Sequence, residues 1–375
     1  MHQPPDNLRL LLEAESWEAT QIIKCYERAA RYAHIYKDVA RFHIGFSGVL
    51  LEQFLDPAII KGYRHIVDIP EMIKAYRDAE NIELIGMGNF HPIFPLIPVE
   101  DWEEQISLSI ELMERLFGRR PKGFWPPEMA FCMEMIPYLK RVGYEYVVVD
   151  SVHVKPEKEK DIYMPYICSF EGSEIVVVPR DRDISNAQES GLDPNWFRNE
   201  VMQKVSVSPG KELPRLVTTW SDGENGGWFR QMDEVAGFFG HFFAPYMELV
   251  GQGKMGIQPI TISQFLRQNP PKERATVRTG AWNVGSTSGY DFSQWAGSES
   301  QKRAIDEIFK LSSRYWALKQ EKGDVTGLLS KARSLILSAE TSCFLFWGEA
   351  WIPKLYEKTK AAWELLDQVE ASQGV

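Results

Sequence analysis

Three runs constrain this chain more than anything else in it. YVVVDS (146–151), EIVVVPRD (174–181) and RLVTTWSD (215–222) each begin apolar and β-branched and end in polar or charged residues. A strand without polar alternation is buried on both faces, as in a parallel sheet covered by helices, and polar residues at its C-terminal end are how such strands open into a site. Between these runs the period changes to that of a helix. Ser16 to Ala40 carries apolar residues at helical spacing without Pro or Gly, and RFHIGFSG (41–48) then reads as a strand. A helix over 70–79, strand-like ELIGMG (83–88), a helix over 100–117, strand-like KGFW (122–125) and a helix from Met133 to near Gly143 continue the alternation. GIQPITIS (256–263) supplies another candidate strand. Repeated β-then-α units favour a parallel barrel over an open sheet, although periodicity does not prove closure.

Beyond residue 298 the strand signal ends. Three amphipathic helices follow, in 299–323, 326–341 and 351–371, so the chain divides into a barrel (1–298) and a C-terminal helical domain (299–375). Acidic residues outnumber basic ones 52 to 42, a balance that repels phosphate backbones and anionic lipid, so neither nucleic acid nor membrane is an expected partner. Cys25, Cys132, Cys168 and Cys343 contain no CxxC pair, which argues against a disulfide framework or a zinc site. With no signal-like N-terminus and no long apolar run, a cytoplasmic protein is expected.

Two segments carry chemistry. In GFWPPEMAF (123–131) a strand ends at Trp125, two prolines fix the backbone, and Glu128 is presented just beyond. In TTWSDGENGGWF (218–229) Asp222 and Glu224 flank a glycine directly after an apolar run. Cleavage of a glycosidic bond with retention needs two carboxyl groups about 5–5.5 Å apart, one attacking and one protonating. Taken alone, Pro-Pro-Glu is also how a helix opens, and the second segment also reads as a solvated turn.

The chain resembles glycoside hydrolase family 57 in five segments that occur in the family's order: MHQPP (1–5), GNFHP (88–92), GFWPPE (123–128), TWSDGE (219–224) and ETSCFLFWGEAW (340–351). The resemblance implies a distorted parallel (β/α)7 barrel followed by helices, acting on α-glucans or maltooligosaccharides without metal or cofactor. It implies Glu128 as nucleophile and Asp222 as acid/base, with Glu224, His2 and His91 lining the donor sugar subsite. PRDRDIS (179–185) resembles a further family stretch, which points to Arg180 and Asp183 as bracing residues, the guanidinium expected beside Glu128 to keep it ionised. Trp125 closes the first segment, and Trp220, Trp228, Trp282, Trp295 and Trp347 are candidates for stacking on sugar faces.

The chain departs from the family at its start. Members carry an apolar strand before the first motif, whereas here His2 follows Met1, so the natural reading frame is expected to begin upstream or the first barrel position to be short. Two other classes compete. A metal-dependent deacetylase or mannosidase on a related barrel would have to gather zinc with His2, His91 and nearby acids, yet no HxxxH pair or Asp-Asp motif is present. A carbohydrate-binding protein without catalysis would keep the cleft and bind oligosaccharide without turning it over.

Overall fold

The computed structural model describes residues 1–14, 16–158, 161–189, 193–208, 214–224, 234–282, 291–323 and 327–371. Its strands are β1 (Phe42–Gly45), β2 (Ile82–Gly86), β3 (Gly123–Phe124), β4 (Tyr146–Asp150), β5 (Val154–Pro156), β6 (Tyr166–Phe170), β7 (Ser173–Arg180) and β8 (Ala275–Val277). Six of them form one sheet in the order β1-β2-β3-β4-β7-β6, parallel from β1 to β7, with β6 folded back antiparallel on β7. β5 and β8 pair separately. Helix α1 (Ser16–Ile35) precedes β1, and α2 (Ile69–Asp78) and α3 (Val99–Phe117) return the chain to β2 and β3. Local signals set these helices: Asp68 caps α2 with Pro70 in its first turn, and Gly118 ends α3 in the left-handed conformation at φ 63°. The class is α/β.

The apolar run of β4 is buried on both faces. Tyr146 and Val148 pack with Trp125, Val178 and Trp282 on one side, while Val147 and Val149 pack with Phe124, Ile106 and Leu139 on the other. Gly123 is required beside this strand, because a Cβ there would stand 2.1 Å from the Tyr146 ring.

Two expected strands do not join the sheet. RLVTTWSD forms no strand, and its bonds go elsewhere: Leu216 N–H donates to the Tyr163 carbonyl at 2.9 Å, Asp181 N–H to the Thr218 carbonyl at 2.8 Å, and Trp220 N–H to Ser185 Oγ at 3.0 Å. GIQPITIS contains Pro259, which has no donor for a ladder, and its end becomes the start of α4 (Ile262–Gln268), capped by Thr261. Among the described residues no ladder joins the sheet's two edges, β1 and β6.

Helices α5 (Glu299–Lys322), α6 (Leu328–Ala339) and α7 (Ile352–Ala371) share a core of Leu311, Tyr315, Leu329, Ile336, Ala362 and Leu366. They are fastened to α3 at Asp101, which accepts from Ser312 Oγ at 2.6 Å and Trp316 Nε1 at 2.7 Å and pairs with Arg333 at 2.7 Å.

Candidate active site

The parallel strands bring their C-terminal ends to one side, where His2 lies beside the end of β1, His91 after β2, Glu128 after β3 and Arg180 at the end of β7. β3 runs into Trp125, and after the two prolines Glu128 takes φ 58° and ψ 18°, a left-handed conformation that disfavours a side chain with a Cβ. Trp282 holds it there twice: its N–H donates to the Glu128 carbonyl at 2.9 Å and its indole Nε1 to Glu128 Oε2 at 2.7 Å. Burial pushes the Glu128 carboxyl up to about 7, against the pull of the indole bond.

Met1 brackets Phe46 in the pattern of a parallel strand pair, its amino group donating to the Gly45 carbonyl at 2.7 Å and its carbonyl accepting from Ser47 N–H at 3.0 Å. That places His2 at the mouth. The His2 ring bonds Ser47 Oγ through Nδ1 at 2.8 Å and Cys343 Sγ through Nε2 at 3.3 Å, and lies flat on His91 at 4.0 Å between centroids and 10° between planes. His91 in turn bonds Ser342 Oγ at 2.8 Å. Burial, then the charge of His91 and the N-terminal amine, lower His2 well below the usual histidine range, and burial with that amine lowers His91 to about 3. Both imidazoles are therefore neutral and offer one donor and one acceptor each.

Glu224 is buried, and its Oε1 accepts from His2 N–H at 2.7 Å. Asp222 is exposed at the end of RLVTTWSD, where it lines a cavity of 680 Å³ together with Met1, His43, Trp125 and Trp220. Cys343 ties the parts together. It is half-buried and meets His2 Nε2 at 3.3 Å; burial, then the charge of Glu128, raises its thiol, and the charges of Asp222 and Glu224 raise it further. A larger groove of 1580 Å³ runs between α1 and α2 past Arg41 and Asn81, at the opposite strand ends, and holds none of the candidates.

Other expectations need correction. Arg180 lies across from Asp150 in the β4–β7 register and pairs with it at 3.2 Å; its Nε donates to the Trp220 carbonyl at 2.7 Å. It meets Glu128 through Trp282, its guanidinium standing 5.3 Å from that ring's centre. The aspartate that faces inward from PRDRDIS is Asp181, which accepts from Tyr163 Oη at 2.9 Å, whereas Asp183 is 84% exposed and pairs with Lys204 at 3.1 Å. The chain turns into helix Arg182–Glu189 at this point, and Asp183 falls on its outer side.

Trp347 is 50% exposed and packs with Phe346 and Trp351, one turn beyond Cys343. Trp295 is fully buried in the core, and Trp228 lies outside the described residues. Ser47, Asp150, Ser342 and Cys343 were missed from sequence. The place of Ser342 and Cys343 inside the fifth segment and of Asp150 at the polar end of YVVVDS could have signalled three of them. Among the described residues, no group of three or more His, Cys, Asp and Glu is placed to hold a metal ion, and no described helix is long and apolar enough to cross a membrane.

The family model described as Glycosyl hydrolase family 57 matches residues 7–278. An alpha-amylase of Pyrococcus horikoshii is 24% identical over 317 residues, 82% of this chain and 44% of that protein. A 4-alpha-glucanotransferase of Thermococcus litoralis is 26% identical over 188 residues, 49% of this chain and 26% of that protein. This chain thus spans less than half the length of these curated relatives. In three dimensions it is similar to the GH57 branching enzyme of Thermococcus kodakaraensis, with a TM-score of 0.77 at 16% identity over 100% of this chain and 88% of that one. For the GH57-type branching enzyme of Pyrococcus horikoshii the TM-score is 0.75 at 17% identity, over 99% and 91%. With the family match running over residues 7–278, well over half of the chain, the chain belongs to glycosyl hydrolase family 57.

Proposed function

We propose that this chain is a retaining hydrolase or transglycosylase of α-1,4-linked glucans, with Glu128 as nucleophile and Asp222 as acid/base. The observation that carries the reading is the placement of Glu128 just after β3, bonded to Trp282 Nε1 at 2.7 Å, and of Glu224, two residues after Asp222, bonded to His2 N–H at 2.7 Å beside the stacked His2–His91 pair. Glu128 attacks the anomeric carbon as the glycosidic bond breaks, and Asp222 delivers its proton to the departing oxygen. Asp222 then takes a proton from water or a sugar hydroxyl, whose oxygen displaces Glu128 from the sugar. His2, His91 and Glu224 orient sugar hydroxyls, and Trp125 and Trp220 offer ring faces at the cavity wall. The glucan substrate is supported by relatives named alpha-amylase and 4-alpha-glucanotransferase.

We read the architecture as a distorted barrel over 1–298 followed by a helical domain over 299–375. Support comes from the segments around Val217 and Ile260, which face β1 across the 680 Å³ cavity, and from the separate core of the last helices.

A second reading exchanges the two roles, because burial gives Glu128 the raised value that suits an acid. Azide decides between them. With an activated aryl α-glucoside, Asp222→Ala in the first reading is rescued to the α-glycosyl azide and Glu128→Ala to the inverted β-azide; the second reading exchanges these products. For the activity itself, Glu128→Gln is expected to lower turnover of maltoheptaose by about a thousandfold or more, read by chromatography of the products. An unimpaired variant sinks both readings.

A further inference from the structure

The segment 340–343, from the end of α6 into the short helix Ser342–Phe346, is held in the site by groups outside the reacting set. Gln105 on α3 is fully buried and committed at both ends of its amide: Oε1 accepts from Phe90 N–H at 3.0 Å, and Nε2 donates to the Leu337 carbonyl at 3.0 Å and to Glu340 Oε2 at 2.6 Å. Its backbone carbonyl accepts from Asn89 N–H at 2.8 Å. One residue therefore grips the β2–α3 loop and the end of α6 at once. Further along, the two segments stay paired. Pro92 forms an antiparallel bridge with Thr341, Ser342 N–H donates to the His91 carbonyl at 3.0 Å, and Ser342 Oγ meets His91 Nδ1 at 2.8 Å. His91 itself sits at φ 58°, a conformation that persists only where its surroundings hold it.

Behind Glu340 stands Asp101, buried and paired with the buried Arg333 at 2.7 Å. Burial, then the charge of Asp101, push Glu340 well above the usual carboxylate range. A neutral Glu340 directs its proton toward Asp101 and keeps an oxygen for Gln105.

We propose that Gln105 and Glu340 are positioning residues for the His2–His91 pair, fixing the His91 backbone and Ser342 so that the two rings lie face to face at the sugar-binding side of the site. The C-terminal helices then set the geometry of the donor subsite across the α3–α6 contact. The proposal rests on the reading of these imidazoles as sugar-facing groups.

The test uses the full chain and three variants, with kcat and KM on maltoheptaose, far-UV circular dichroism, and nitrogen-15 imidazole resonances recorded without substrate. Gln105→Leu and Ser342→Ala are expected to lower kcat about tenfold while KM moves less than about threefold, and to shift the His2 and His91 resonances but not those of His153. Glu340→Gln is expected to keep kcat within about threefold, since its amide replaces the acid proton toward Asp101. Folded Ser342→Ala with wild-type kcat and wild-type imidazole resonances overturns the proposal, even if Gln105→Leu does not fold. Glu340→Gln as impaired as Gln105→Leu overturns the role of the neutral acid. If the wild-type chain does not turn over maltoheptaose, the glucan reading fails, while the resonances still decide the positioning role.

Discussion

The indole N–H of Trp282 lies 2.7 Å from Glu128 Oε2, in a place where burial favours the protonated carboxyl. A donor to a charged acceptor is worth about 1.5–3 kcal/mol, or about one to two pH units. The proposed nucleophile acts ionised, so kcat/KM rises with pH through about 7. In Trp282→Phe the ionised form loses its donor, the value of Glu128 moves up, and that acidic limb moves to higher pH by about one to two units, as a pH–rate profile will show. Asp183 is the opposite case. Its carboxylate is largely in water and its pair with Lys204 is a surface one, so Asp183→Asn should change unfolding free energy by less than about 1 kcal/mol and leave kcat within about twofold. Both positions were singled out in sequence, but nothing in PRDRDIS distinguishes the inward Asp181 from the outward Asp183. That depends on where β7 gives way to the next helix.

At the other ends of the strands, β1, β2, β4 and α4 are joined by one carboxylate. Glu83 on β2 accepts from Tyr146 Oη at 2.7 Å and from Ser263 N–H at 3.1 Å, with His43 Nε2 at 3.5 Å. Burial works to raise it, but bonds from His43, Ser263 and Tyr146 and the His43 charge outweigh that and leave it at about 2, below the ordinary 4.5. A depressed folded value stabilises the protein above the unfolded value, and this contribution is lost as pH falls through the folded one. Wild type should therefore exceed Glu83→Gln in stability by on the order of 3 kcal/mol at neutral pH, with the gap closing between about pH 4.5 and 2 in urea melts. Helices such as α1, α3 and α5 were legible because their apolar period is set within the element. The runs at 215–222 and 256–263 were misread because an apolar run looks the same whether its amides meet a strand or a loop carbonyl.

Over the whole molecule, the last helices are joined to the sheet layer by buried charge. Asp101 and Arg333 are both withdrawn from water, so Asp101→Ala leaves a guanidinium without its buried partner and should cost about 3–5 kcal/mol, measured by denaturant unfolding. Because Ser342 and Cys343, which follow α6, also bond the candidate-site histidines, unfolding followed by tryptophan fluorescence and by far-UV circular dichroism should give one coincident transition. Separate transitions would show that the helices after residue 298 unfold on their own.

By itself the sequence determined the class of the fold, through strand runs without alternation set between helical periods, and its resemblance to the family put forward the carboxyl pair and the histidines as candidates. It did not contain the partners of those residues. That Arg180 answers Asp150, that Trp282 rather than a cation holds Glu128, and that Ser342 and Cys343 orient two imidazoles were decided only by tertiary structure. Ionisation and orientation depend on distance and burial, and those arise between residues that lie from 30 to 341 positions apart along the chain.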